Sequence, residues 1–226
     1  MPSIRPVRAA ALALALAAAP ALAQGPDIDK VNGAIAAEAG QAYGDLSTVN
    51  GSIRIEAGAT VGDAETVNGS IRVADGARAA SLQTVNGSIR LGAQVRVSGS
   101  IETVNGSIFV DRGGNIGENV ETVNGSIGLV DTDVGADVET VNGDITIGIG
   151  SHVRGGLTVA KPGNNWMPIS IGKRRIPRIV IGPQARVDGP LRFEREVRLY
   201  VHDSARIGPV SGATAVRFST ARAPQD

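Results

Sequence analysis

One short word recurs along most of this chain: Thr-Val-Asn-Gly-Ser-Ile or a near variant of it. Its asparagines are Asn32, Asn50, Asn68, Asn86, Asn105, Asn124 and Asn142, so consecutive copies lie 18 or 19 residues apart. A fixed period of this kind is typical of repeat architectures, in which each period forms one structural unit that stacks on its neighbours. The sequence therefore predicts about seven near-identical stacked units.

A finer rhythm divides each period into three. Small or branched apolar residues recur at every sixth position, at Val49, Ile55, Val61, Val67, Val73, Ala79, Val85, Leu91 and Val97. Each face is expected to be a short strand, and each corner to hold a Gly, Asn or Asp, residues that tolerate positive φ. Successive coils would pair as parallel strands about 4.8 Å apart. We predict an all-β fold: a single-stranded parallel β-helix (solenoid) of 18-residue, three-sided coils.

The competing interpretation is a series of hairpins, because Asn-Gly between apolar residues is a strong hairpin turn. The return strand Thr60–Val67 would then place Asp63 and Glu65 on the same face as Val61 and Val67. Burying two carboxylates in that face is costly. The solenoid is therefore the better prediction.

Stacked coils place identical residues above one another. We predict that Val49, Ile53 and Ile55 point inward and that Arg54 points outward, with the same assignment in the following coils. The Asn-Gly corners should form structural columns that bridge amide to backbone from coil to coil: Asn50, Gly51, Asn68, Gly69, Asn86, Gly87, Asn105, Gly106, Asn124, Gly125, Asn142 and Gly143.

The amino-terminal segment has the pattern of a secretory leader. Arg5 and Arg8 precede an apolar run at 9–19, and the small residues Ala21 and Ala23 flank Leu22. We predict a signal peptide at residues 1–23 and a periplasmic or secreted mature chain. The apolar run is too short to span a bilayer, so no transmembrane segment is expected in the mature chain.

The rest of the chain divides by its patterns. Residues 24–160 carry the repeats, and residues 161–178, rich in Pro and basic side chains, are expected to be a loop or cap excursion. The six-residue rhythm returns in residues 179–216, which we predict to be capping coils, and residues 217–226 form a tail. Atypical end coils are expected because an open sheet edge invites further strand pairing.

Composition excludes several classes of function. The chain has no cysteine, so disulfides and thiol chemistry are absent. Its formal net charge of zero falls to −2 when Arg5 and Arg8 leave with the leader. No general basic field favours nucleic acid as a partner. The expected partners are a second copy of the chain, by end-to-end or lateral assembly, or an envelope polymer.

Two parts of the chain resemble known families. The Val-Asn-Gly-Ser-Ile words at 49–53, 67–71 and 85–89 resemble bacterial β-strand-repeat proteins of the adhesin type. The segments 179–183, 185–189 and 205–208 are similar to bactofilins, which are polymer-forming cytoskeletal β-helices. The resemblance implies a non-enzymatic, structural or adhesin-like β-helix. Bactofilins are typically cytoplasmic or bound to the inner membrane face, whereas this chain carries an export pattern.

The runner-up function is a hexapeptide-type acyltransferase, because Val61-Gly62, Ile116-Gly117 and Val134-Gly135 fit the six-residue pattern of those enzymes. Such an enzyme needs a histidine as general base, and the chain offers only His152 and His202. Asp203 follows His202, but adjacent strand residues point to opposite faces. We predict no catalytic residue and no cofactor.

Two further binding hypotheses use columns on the surface. A column of Glu65, Glu102, Glu121 and Glu139, interrupted by Gln83, could attract a divalent cation, yet the spacing of calcium-binding nonapeptides is absent. We therefore predict no metal site. If Val points inward, an outward array of Thr and Asn could bind ice or a crystalline surface. Its candidate surface-binding residues are Thr48, Thr66, Thr84, Thr103, Thr122 and Thr140.

Overall fold

The computed structural model of the protein describes residues 25–162 and 175–225. The predicted leader at 1–23 and most of the predicted excursion at 161–178 lie outside the described residues. The described part consists of short strands and contains no helix. In particular, within those residues no helix is long and apolar enough to cross a bilayer.

The strands follow one another in a regular series. The first nine are β1 (Ile28–Asn32), β2 (Ile35–Ala37), β3 (Leu46–Asn50), β4 (Ile53–Ile55), β5 (Ala64–Asn68), β6 (Ile71–Val73), β7 (Arg78–Ala79), β8 (Leu82–Asn86) and β9 (Ile89–Leu91). The next nine are β10 (Arg96–Val97), β11 (Ile101–Asn105), β12 (Ile108–Val110), β13 (Asn115–Ile116), β14 (Val120–Asn124), β15 (Ile127–Leu129), β16 (Asp133–Val134), β17 (Val138–Asn142) and β18 (Ile145–Ile147). The last nine are β19 (His152–Val153), β20 (Leu157–Val159), β21 (Arg178–Ile181), β22 (Arg186–Val187), β23 (Leu191–Phe193), β24 (Arg198–His202), β25 (Arg206–Ile207), β26 (Val210–Ser211) and β27 (Ala215–Phe218).

These strands form three parallel sheets, one for each face of the coil. Sheet A has the order β1-β3-β5-β8-β11-β14-β17-β20-β23-β26. Sheet B has the order β2-β4-β6-β9-β12-β15-β18-β21-β24-β27, and sheet C has the order β7-β10-β13-β16-β19-β22-β25. The chain is therefore a β-solenoid of about nine turns. The predicted parallel β-helix with three-sided coils is confirmed, and the hairpin alternative is wrong.

The register of the sheets follows the repeat of the sequence. Asn50 pairs with Asn68, and Thr66 pairs with Thr84, 18 residues further along in each case. Where the period is 19 residues, the extra residue lies at the corner between sheets C and A, because Val97 precedes Ile101 by four positions whereas Ala79 precedes Leu82 by three. Corners thus absorb the irregularity and leave the columns intact.

The interior confirms the predicted inward residues of sheets B and C but not those of sheet A. Ile53, Ile55 and Val61 are buried, and Arg54 is exposed. In sheet A the prediction is wrong by one residue, because Thr48 is 2% exposed whereas Val49 is 41% exposed. The same holds along the sheet, where the buried hydroxyls are those of Thr48, Thr66, Thr84, Thr103, Thr122 and Thr140.

A hydrogen bond explains why threonine faces inward. The Thr66 hydroxyl donates to the carbonyl of Gly51 in the preceding coil, at 2.8 Å, and Thr84 donates likewise to Gly69 at 2.9 Å. An unpaired buried carbonyl costs about 1–3 kcal/mol, and valine has no donor to offer it. The apolar anchor of this face is instead the residue two positions before threonine, such as Leu82 or Ile101.

Glycine is required for a different physical reason at each of two corners of the coil. At the Asn-Gly corner, a Cβ on Gly69 would lie 1.9 Å from the carbonyl oxygen of Gly51, so the stacking itself excludes a side chain. Except at Gly33, the glycines of these words do not adopt positive φ. Positive φ occurs at the corner between sheets B and C, where Gly58 has φ +68°.

The last coils continue the same three sheets with larger side chains. Ile145 pairs with Ile179, 34 residues further along the chain, so sheet B keeps its register between β18 and β21. Phe218 is 7% exposed and packs edge-on against the ring of His202, with the ring centroids 5.1 Å apart. The final strand continues to Phe218, two residues past the predicted end of the capping coils at 216.

Candidate functional site

The most regular surface of the molecule is the outward side of the repeated strands of sheet A, here called the ladder face. It carries three parallel columns, whose members share a register position in β5, β8, β11, β14 and β17. They are the glutamate column (Glu65, Gln83, Glu102, Glu121 and Glu139), the valine column (Val67, Val85, Val104, Val123 and Val141) and the asparagine column (Asn68, Asn86, Asn105, Asn124 and Asn142).

The asparagine column is a continuous ladder of side-chain hydrogen bonds. The Nδ2 group of Asn68 donates to Oδ1 of Asn50 at 3.0 Å, and the same bond recurs at every step from Asn32 to Asn142. The predicted bridge from amide to backbone is thus a bridge from amide to amide. At the last rung the guanidinium of Arg195, two coils further on, donates to the side chain of Asn142 and the carbonyl of Val141.

The glutamate column stacks carboxylates at the spacing of neighbouring strands, about 4.8 Å. Partial burial raises the pKa of Glu121 above the ordinary 4.5, and the charges of Glu102 and Glu139 raise it further. The pKa values of Glu65, Glu102 and Glu139 are raised as well, with burial as the first cause in each. Like charges directly opposite on paired strands destabilise a sheet, so this column stores repulsion within the folded chain.

The valine column adds exposed apolar surface beside the glutamates. Val123 is 39% exposed, and Val67, Val85, Val104 and Val141 are half-buried. The valines cover the space between two polar columns without filling the core. The ladder face is therefore an acidic and apolar strip, and the predicted array of outward threonines does not form its surface.

Sheet B presents a second set of stacked charges. Arg54, Arg72 and Arg90 lie in register on β4, β6 and β9, all exposed, and form the arginine column. Phe109 takes the next position of this column and is 42% exposed. Nothing in the sequence analysis identified this column as a site, although the Ile-Arg pattern of three consecutive words is its visible sequence signature.

The two histidines lie on different sheets. His152, on sheet C, has Nε2 2.8 Å from Oδ2 of Asp188, while its Nδ1 lies 3.9 Å from Asp133. The hydrogen bonds from His152 and Arg186 lower the pKa of Asp188. His202, on sheet B, has Nδ1 2.8 Å from the Ser204 hydroxyl.

A shallow polar groove of about 420 Å³ lies near His152 on sheet C. Its charged and amide side chains are Arg96, Asn115, Asp131 and Asp133, and glycines 113, 114 and 150 complete its wall. Among the described residues, no group of three or more His, Asp or Glu side chains is arranged to hold a metal ion.

Comparisons with known proteins do not add a family to this geometry. No protein-family model, curated protein or solved structure matches the chain.

Proposed function

We propose that this chain is a non-enzymatic, exported β-solenoid with a structural, assembly or adhesin-like surface-interaction role in the bacterial cell envelope. The observation that carries the proposal is the ladder face: a rigid strip on which acidic, apolar and amide columns repeat in register over five consecutive coils. The leader pattern of residues 1–23 supports export. The resemblance to bacterial repeat adhesins and bactofilins supports the same role.

The ladder face suits recognition of a repetitive surface for a physical reason. Its columns are fixed by backbone pairing and by the asparagine ladder, so binding orders few side chains and loses little conformational entropy. An exposed valine strip beside polar columns also offers the combination of apolar area and polar rim that interfaces use. A regular partner, such as an envelope polymer or another copy of the chain, would meet identical groups at every coil.

The first experiment tests export. Cell fractionation should find the chain outside the cytoplasm, shortened by residues 1–23. A variant that lacks residues 2–23 should remain in the cytoplasm. Recovery of the full-length chain from the cytoplasm of wild-type cells would contradict the proposal.

The second experiment tests interaction with the envelope. The chain should co-sediment with isolated envelope fractions, and Val104→Lys, which places a charge in the centre of the ladder face, should weaken co-sedimentation. Ile149→Lys is the matched control, since Ile149 is also exposed but lies at the corner between sheets B and C. Equal behaviour of the two variants would argue against the ladder face as the site.

A second candidate function, a hexapeptide-type acyltransferase, is favoured by the hydrogen bond between His152 and Asp188. A carboxylate that orients a histidine is the arrangement that a general base needs. His152→Ala should leave export and envelope binding unchanged if the chain is structural. A measurable acyl transfer that is lost in His152→Ala would support the enzyme instead.

A further inference from the structure

The folded chain leaves two opposite sets of stacked charges unneutralised. Within residues 25–162 and 175–225, neither Arg72 nor Arg90 forms an ion pair, and none of Glu102, Glu121 and Glu139 does so. Arg54 contacts Glu56 only at 3.8 Å, with both groups well exposed. Each column therefore places like charges on neighbouring strands with little compensation from ion pairs.

The two columns match each other in geometry. The arginine column occupies three consecutive coils, and Glu102, Glu121 and Glu139 occupy three consecutive coils of the ladder face. Both have the spacing of parallel strands, about 4.8 Å. If the columns of two molecules face each other, all three charge pairs form at once. The central residues, Arg72 and Glu121, meet whether the two solenoids run parallel or antiparallel.

Apolar surface accompanies the charges on both sides. Val104 and Val123 lie beside the three glutamates, and Phe109 extends the arginine column by one coil. Phe109 is 42% exposed, which is unusual for one of only three phenylalanines in the chain. An interface that joins these strips would bury apolar area between complementary charges, the arrangement that gives both register and specificity.

We infer that the occupant of the ladder face is the arginine column of a second copy of this chain, so that the molecules associate side by side. The inference rests on the proposed structural role and names its partner. The contact is heterologous, because the two surfaces differ, and each molecule carries both of them. Association is therefore open-ended unless the rotation between neighbours closes a ring.

Charge complementarity favours this partner over a polyanion. An anionic polymer would neutralise the arginine column but would leave the glutamate column unrelieved and would be repelled by it. A second copy relieves both columns in one contact. Because the charges are partly exposed, the association should weaken as salt shortens the range of their attraction.

The test uses sedimentation velocity over a concentration series at low salt, with the chain purified with the amino terminus that it carries in the cell. The wild-type chain should form species larger than a monomer, and these should dissociate at about 1 M salt. Arg72→Glu and Glu121→Arg should each weaken association roughly tenfold or more, since a like-charge contact replaces an attractive one. Arg78→Glu, which makes the same change on exposed sheet C, should leave association unchanged.

The decisive experiment mixes the Arg72→Glu and Glu121→Arg variants. Every contact between an Arg72→Glu chain and a Glu121→Arg chain places opposite charges together at the central position, so the mixture should regain association that neither variant shows alone. This restoration also shows that both variants are folded, and their melting curves should match that of the wild type.

Three results would overturn the inference. They are a monomeric wild-type chain at all concentrations, equal disruption by Arg78→Glu, and a mixture that stays dissociated. If the wild-type chain stays monomeric but binds dextran sulfate through Arg72, the arginine column serves a polyanion. Fractionation and envelope co-sedimentation do not depend on these measurements, so failure of the interface is distinguishable from failure of the proposed function.

Discussion

The repeated coils at 28–160 and the closing coils at 178–218 share one backbone path but are held together differently. In the repeats, like residues stack on like, and two kinds of bond recur from coil to coil: the asparagine ladder from Asn32 to Asn142, and the threonine-to-glycine bonds from Thr48 to Thr122. Those columns end before the closing coils: Thr158 and Val159 follow Glu139 and Thr140 in the last repeated coil, and Arg192 follows Thr158 in the first closing coil.

In the closing coils, individual side-chain contacts replace the repeated columns. The guanidinium of Arg178 lies 5.0 Å from the ring centroid of Tyr200, and Phe218 packs on His202. The boundary between the two regions is visible at Thr140, whose buried hydroxyl has no hydrogen-bond partner in the described part of the chain. Stability is therefore distributed evenly in the repeats and concentrated at particular side chains in the closing coils, and the following predictions test that difference.

The largest effect should come from a change that breaks the period. Deletion of residues 68–76 joins Val67 to Ala77 and removes half a coil, so the strands of sheets A and B lose their partners. That variant should be insoluble or rapidly cleaved. Deletion of residues 68–85 removes one whole period and restores the same word, and the product should fold with a modest loss of stability, since each coil contacts only its neighbours. Limited proteolysis compares both with the parent, and equal sensitivity of the two deletions would contradict this account.

In the closing coils a single truncation should be costly. Phe218→Ala removes the largest buried side chain of the final strand and should lower the free energy of unfolding by about 3 kcal/mol. Arg217→Ala, the exposed neighbour on the same strand, is the control and should change it by less than about 1 kcal/mol. Urea titration measures both. Similar losses in the two variants would mean that Phe218 does not close the stack.

Within one repeat, the threonine and valine of a single word should respond differently to exchange. Thr84→Val leaves the partly buried carbonyl of Gly69 without the threonine donor and should cost about 1–3 kcal/mol. Val85→Thr changes an outward side chain by a similar amount and should cost less than about 1 kcal/mol. If urea titration shows the reverse order, the inward assignment of threonine is wrong.

The smallest effect should be a dependence of stability on pH. The pKa of Glu121 is raised in the folded chain by burial, by Glu102, Glu139 and Asp137, against a hydrogen bond from Asn119 that lowers it. Folding therefore favours the protonated form: its contribution is fully present below pH 4.5 and is lost as pH rises through the raised pKa.

The urea midpoint of the monomer should accordingly increase when the pH falls from 7 toward 5. Asp188, whose pKa is lowered, opposes this only below its ordinary value of 3.8. In Glu121→Gln the increase should be smaller. A midpoint that falls over this range would show that the glutamate column is not under strain.

Much of this architecture could be predicted because the sequence itself repeats with a regular period. The 18-residue spacing, the columns of like residues and the inward positions of sheets B and C follow from periodicity alone. Sheet A could not be assigned in the same way, because hydrophobicity ranks Val49 above Thr48. The bond that reverses the order joins Thr48 to a carbonyl in another coil.

Contacts between residues more than one period apart also could not be predicted from the sequence. Asp188 lies beside His152 although 36 residues separate them, because β19 pairs directly with β22. Arg195 contacts Asn142 across a still larger separation of 53 residues. A rule based on an 18-residue spacing cannot find such pairs, and the part of the candidate site that rests on them needed the structure.

The asparagine ladder gives the stack a direction. Every amide donates toward the amino-terminal end, so the side-chain dipoles are aligned head to tail, add together and polarise one another. At the carboxy-terminal end of the ladder, the side-chain oxygen of Asn142 accepts a hydrogen bond from the guanidinium of Arg195. At the amino-terminal end, the ladder finishes with the Nδ2 group of Asn32, an exposed residue. Loss of the side-chain amide of Asn86 removes two hydrogen bonds and divides the ladder into two parts. Loss of the side-chain amide of Asn32 removes only the terminal bond. The asparagine ladder thus has two electrically distinct ends, although the coils that it joins repeat the same pattern.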